Sequence, residues 1–150
     1  MAASAWALYN KAKRYIGNGT IQLGVDNFKM ALFRTASNAA TVGLSTYASL
    51  TSEVSATGRY VTGGFALPPA TGQWTTGASA GQMKFTYTTT GLTFTASGAS
   101  INDIRYAVIY ESNSAGKLVC YCALSSTQFT VASPNTLTVL PATSGVFTLT

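Results

Sequence analysis

The side chains able to do acid–base, nucleophilic or metal chemistry are few in this chain. The acids are Asp26, Glu53, Asp103 and Glu111, the thiols are Cys120 and Cys122, and there is no histidine. General acid–base catalysis needs a pair of titratable groups sharing a cleft. The four acids instead lie far apart, in a turn, a loop, a strand start and a hairpin, where carboxylates ordinarily form turns or face solvent. Without histidine, Ser–His–Asp and Cys–His nucleophile systems are excluded. A Ser–Lys pair is not excluded, but no motif recommends one. Zinc would need further Cys or His ligands, and oxygen-ligand metals need clustered acids. Gly17-Asn18-Gly19 is a fragment of a phosphate-type glycine loop without the lysine context, and reads as a tight turn. The sequence therefore predicts no catalytic residue, cofactor or metal.

Cys120 and Cys122 sit at i and i+2, on one face of a strand and at the far edge of disulfide reach. Two buried free thiols are expected, as suits assembly in a reducing cytoplasm. The alternative is that one is exposed and cross-links subunits.

Aromatic residues give the other candidate positions. Phe85, Tyr87, Phe94, Tyr106 and Tyr110 recur at strand period and are expected in the core. Trp6, Tyr9, Tyr60 and Trp74 fall at segment ends or in connections, where contact with a partner competes with core burial. Lys11, Lys13 and Arg14 form the densest basic cluster in a chain of net charge +5. That is thinner than the basic stripe of a nucleic-acid protein, and fits attraction to an acidic partner protein. These seven residues are the candidate interface.

The elements that must position them read as β-structure. Hydrophobic residues make up 47% of the 150 residues and charged ones 9%, against about 25% in ordinary soluble domains. The exterior must then be built from neutral polar groups, which suits a subunit packed against neighbours. With 8 Tyr, 7 Phe and 2 Trp spread along the chain, disorder is not expected. No signal peptide or membrane-length apolar run is read, so the chain is expected to be soluble and unexported; Asn18-Gly19-Thr20 is then a coincidental glycosylation match.

Residues 1–16 are expected as a short helix or an arm reaching onto a neighbour, and 17–150 as one β-domain. Period-two alternation predicts strands at Ile21 to Val25, Phe28 to Phe33, Arg59 to Leu67, Met83 to Tyr87 and Leu92 to Ala96. Ile101 to Tyr110 reads as the central strand, apolar on both faces, followed by a hairpin at 112–116 and a returning strand at Lys117 to Leu124. Short strands at Gln128 to Val131, Thr136 to Leu140 and Val146 to Leu149 close the chain. Ala36 to Glu53 is a loop with a helical turn near Thr46 to Leu50. Gly63-Gly64 marks a bulge or close backbone approach, and Pro68-Pro69 a stop. About nine short strands without a long helix predict an all-β, antiparallel sandwich or jelly-roll-like domain.

Five stretches carry a resemblance in order. They are Ala7-Leu8-Tyr9-Asn10-Lys11, Phe28-Lys29-Met30-Ala31-Leu32-Phe33, Gly58-Arg59-Tyr60-Val61-Thr62-Gly63-Gly64, Phe94-Thr95-Ala96-Ser97-Gly98 and Ile104-Arg105-Tyr106-Ala107-Val108-Ile109-Tyr110. Over most of the chain this resembles a family of small structural proteins of tailed-phage virions. The chain departs from the pattern before Leu8 and at the cysteine pair. The resemblance implies a virion component, assembled in the host bacterial cytoplasm. The first expectation is a capsid decoration (cement) protein on the outer capsid, bound to the major capsid protein and to copies of itself, by analogy as a trimer. No direct nucleic acid, membrane or small-molecule ligand is expected. The alternatives are a tail or head–tail connector component, or a carbohydrate-binding host-attachment module using Trp74.

Overall fold

The computed structural model describes residues 4–68, 72–113 and 115–150. Met1, Ala2 and Ala3 of the expected arm, Pro69 of the proline stop and Ser114 of the hairpin lie outside the described residues. The chain is mostly β, with one short helix and several antiparallel sheets. In order the elements are β1 (Ala7–Leu8), α1 (Asn10–Gly17), β2 (Phe28–Phe33), a 3-10 turn (Tyr47–Ser49), β3 (Phe65–Ala66), β4 (Trp74–Thr76), β5 (Met83–Phe85) and β6 (Leu92–Thr95). There follow β7 (Ile101–Ile104), β8 (Tyr106–Glu111), β9 (Leu118–Ala123), β10 (Phe129–Val131), β11 (Thr136–Val139) and β12 (Phe147–Leu149).

The largest sheet has the order β1-β9-β8-β2-β3, with β2 and β8 in register from Phe28–Glu111 to Phe33–Tyr106. Because side chains alternate along a strand, β2 divides its residues between two cores. Phe28, Met30 and Leu32 join Ala107, Ile109, Cys120 and Cys122 in the larger core, with Phe85, Phe147, Phe94, Val139, Ile104 and Val131 from three smaller sheets and Tyr87 just past β5. Those sheets are β12-β5-β4, β6 with β11, and β7 with β10. Ala31 and Phe33 face the other way, with Val108, Tyr110 and Leu118. That second face is covered by Tyr9, α1 through Ala12, and the loop carrying Ala39, Leu44, Tyr47 and Leu50. Two covered faces explain why β8 is apolar on both sides.

Several expectations need correction. Ile21 to Val25 forms turns, not a strand: Ile21 and Leu23 are buried, Val25 is exposed, and the Gln22 carbonyl accepts the Val25 and Asp26 amides. The Asp26 carboxylate accepts the Gln22 amide at 2.7 Å, so a local side chain takes the hydrogen bonds a sheet would have offered. Ile101 to Tyr110 is two strands broken at Arg105, whose amide bonds Phe33 and whose carbonyl accepts Leu124. The break inverts the face pattern, so Ile104 shares the larger core with Ala107 and Ile109 rather than a face with Tyr106. Arg59 to Leu67 shrinks to β3, although the close approach at Gly64 is present. Its φ is +68°, and an added Cβ would lie 1.9 Å from the Met30 carbonyl oxygen, so only glycine fits. Trp74 lies in β4 rather than in a connection.

The first sixteen residues, as far as they are described, are not a free arm. β1 pairs with β9, Ser4 bonds Ala123, and Tyr9 and Ala12 are fully buried. Lysine, alanine and arginine favour the helix that follows. The Asn18 and Gly19 amides close it on the Arg14 and Ile16 carbonyls, with Gly19 at φ +74°.

Candidate functional site

Three clusters follow from this scaffold, and they divide the candidate residues. The first is the exposed face of α1. Burying Ala12 and half-burying Tyr15 and Ile16 turns Lys11, Lys13 and Arg14 outward, all three exposed. Among the described residues none of them pairs with a carboxylate, and the acids are engaged elsewhere. Asp26 accepts from Gln22 and from Asn113, and Asp103 accepts from Gln128. Glu111 serves its hairpin turn as expected, accepting the Asn113 amide, but it is buried rather than solvated and pairs with Lys117 at 3.8 Å, the one ion pair among the described residues.

The second cluster was not anticipated. Glu53 accepts the Tyr60 hydroxyl at 2.6 Å, the Gly63 amide at 2.7 Å and the Tyr47 hydroxyl. Tyr60 also accepts the Leu32 amide at 2.9 Å, and Tyr110 donates to the Gly63 carbonyl at 2.7 Å. The Tyr47 and Tyr110 rings stack with centroids 4.7 Å apart. Burial first, then the hydrogen bond to Glu53, raises Tyr47 and Tyr60 well above the ordinary phenol value; burial and the Glu53 charge push Tyr110 up to about 12. These phenols stay protonated at neutral pH and act as fixed donors. Tyr60 was a candidate interface residue, but it is 2% exposed and belongs to this clasp, which holds the Glu53–Gly64 loop onto the large sheet. Spacing in sequence carried no sign of it, since Tyr47 and Tyr60 lie outside the strands six and seven residues either side of Glu53, and Tyr110 reaches the clasp from β8.

Tyr9 is corrected in the same way. It is fully buried, donates to the Ala39 carbonyl at 2.5 Å and packs against Tyr121, so it anchors the segment rather than meeting a partner. Trp74 is half-buried on β4 and packs against the larger core. Burial raises both thiols, Cys122 to about 12 and Cys120 well above the usual value, so both are thiols at neutral pH. Both are free and buried, as expected of structural cysteines, which removes the subunit cross-link alternative.

The third cluster is a groove of about 790 Å3 between the N-terminal segment and the C-terminal strands. Trp6 lines it, with Phe129, Leu137, Leu140, Val146 and Phe147, and none of its lining residues is charged. Of the seven candidates, then, Trp6 sits at a groove, Lys11, Lys13 and Arg14 share a helix face five to eight residues further on, Trp74 stands apart and two are core. Compared with protein-family models, curated proteins and solved structures, the chain matches none.

Proposed function

We propose that the chain is a structural protein of a tailed-phage virion, a capsid decoration protein that binds the outer face of the assembled major capsid protein lattice. In this reading the antiparallel sheets form the layers of a jelly-roll-like sandwich, and the chain binds without catalysing and without a cofactor. The observation that carries it is the face of α1. Three exposed cations are carried by a helix fastened to the large sheet through Tyr9 and Ala12, and among the described residues no carboxylate pairs with them. A rigid basic platform favours an acidic protein surface, and its attraction acts in the encounter as well as in the bound state. The sparse charge of the remaining exterior lowers the desolvation cost of close contact. A ligand that binds only the assembled lattice stabilises it by mass action. The ordered resemblance of the five sequence stretches supports the same reading.

The test is co-sedimentation of the purified chain with particles assembled without it, followed by reconstruction of the decorated particle. Binding that weakens with salt, and that fails when Lys11, Lys13 and Arg14 are all replaced by Glu, is the expected result. Particles that stay bare, or density confined to the tail vertex, would overturn the decoration role.

A further inference from the structure

We infer that Asn18 is a site of spontaneous covalent modification, where deamidation adds a carboxylate to the end of the basic helix. Asn18 alone among the asparagines precedes a glycine. The reacting atoms are the Gly19 backbone nitrogen and the Asn18 side-chain carbonyl carbon, Cγ. Glycine has no Cβ to obstruct their approach.

The turn favours the same reaction. Asn18 and Gly19 are exposed, so water and hydroxide reach both. Asn18 Oδ1 accepts the Thr20 amide at 3.1 Å, which folds the carboxamide over the peptide unit that joins Asn18 to Gly19. That donor also polarises the Cγ carbonyl and stabilises the negative charge its oxygen gains under attack. One contact opposes the step, since the Gly19 amide donates to the Ile16 carbonyl. The bond is 3.2 Å long and closes the last turn of an eight-residue helix, where opening costs little free energy.

Water is the co-reactant. Hydroxide takes the Gly19 amide proton, the nitrogen bonds to Cγ, and the Cγ–Nδ2 bond breaks as ammonia leaves with a proton from water. The cyclic imide that results is opened by water at either carbonyl. Opening at Cγ gives aspartate, and opening at the backbone carbonyl gives isoaspartate, with the chain routed through Cβ. Either product lowers the net charge of +5 by one. The Asn18 amide bonds the Arg14 carbonyl at 3.0 Å, so the new carboxylate stands one turn beyond Arg14 and offers it an ion pair. It also meets the negative end of the helix dipole, which loosens the last turn. The basic face thus carries its full charge only until Asn18 reacts, whatever partner that face binds.

The test needs no capsid. The intact chain, held without denaturant in mildly alkaline buffer, should gain about 1 Da as oxygen replaces an NH group. Peptide mass spectrometry should place the gain at Asn18 and resolve the aspartate and isoaspartate forms. The modified chain should leave a cation exchanger at lower salt than the parent, beside an Asn18→Asp variant. Asn18→Gln keeps an amide at this exposed position but must close a larger, slower-forming ring, so its mass and elution should not change over the same period. A gain that appears only after urea unfolding, or first at another asparagine, overturns the inference. So does an Asn18→Gln variant that converts like the parent, or a modified chain that elutes with the parent.

Discussion

Replacing Tyr60 by Phe removes one oxygen and leaves the ring, which still meets Phe65 and Phe94 at centroid distances of 6.3 and 6.1 Å. Two interactions are lost. The hydroxyl donates to the Glu53 carboxylate at 2.6 Å, and a hydrogen bond to a charged group contributes about 1.5–3 kcal/mol. It also accepts the Leu32 amide at 2.9 Å, and a buried donor left unpaired costs about 1–3 kcal/mol. The two losses overlap, because Glu53 keeps its Tyr47 and Gly63 donors. The expected destabilisation is therefore about 2–4 kcal/mol, or a fall in Tm of roughly 5–15 °C for a domain of this size. Urea unfolding followed by circular dichroism measures it. Tyr110→Phe loses only a neutral bond to the Gly63 carbonyl and should cost about 0.5–1.5 kcal/mol. In a double-mutant cycle, Tyr60→Phe and Glu53→Gln should couple by more than about 0.5 kcal/mol, as partners in one network do. A Tyr60→Phe loss below about 0.5 kcal/mol, or additive changes, would refute the reasoning that the clasp holds this loop.

Alkaline pH should unfold the protein cooperatively. Tyr47, Tyr60 and Tyr110 have folded pKa values raised above the unfolded value of about 10, so their stabilisation is complete below pH ~10 and is lost as pH rises through the folded values, beginning with Tyr110 at about 12. Phenolate absorbance that titrates near pH 10 while the fold persists would contradict this. Cys120 and Cys122 should resist a thiol reagent in the native state and both react once urea exposes them; fast native labelling of either would count against their burial. Starting the chain at Asn18 removes β1, α1 and the fully buried Tyr9, a loss of several kcal/mol by analogy with large-to-small core changes of about 3–5 kcal/mol for one aromatic. Circular dichroism of that truncation should show a poorly folded chain, and an unchanged Tm would mean the segment is an arm after all.

Much of the architecture was legible because burial leaves a period in the sequence. Phe28, Met30 and Leu32 divide from Ala31 and Phe33 as alternation requires, and the strands after Lys117 fall where the apolar pairs recur. Alternation failed where a local interaction outcompeted the sheet. At Ile21 to Val25, Asp26 folds back on the Gln22 amide and the apolar residues reach the core from turns. At Arg105, the chain leaves β7 and enters β8 with its face pattern inverted, which an unbroken run of apolar residues conceals. The interface candidates divided for a related reason. A tyrosine at the end of a segment carries the same sequence signal whether its hydroxyl meets water or a buried acceptor, and Tyr9 and Tyr60 both found buried partners.

Those two burials change how the surface residues work. Tyr9 has no role as a contact, but by tying β1 and α1 to the sheet it fixes the orientation of Lys11, Lys13 and Arg14. A flexible arm would lose conformational entropy on binding, at about 1–2 kcal/mol for each residue ordered. The folded segment has already met that cost, so its cations meet a partner preorganised. The same fastening sets Trp6 against the groove, at the residue just before β1. A substitution confined to the buried anchor, such as Tyr9→Phe, should therefore weaken partner binding through the exposed cations without touching one of them. Among the described residues the hydrogen bond removed is the hydroxyl's to the Ala39 carbonyl, so the far-ultraviolet spectrum should be retained while affinity falls. Unchanged affinity in a destabilised Tyr9→Phe protein would show that the basic face needs no fixed platform.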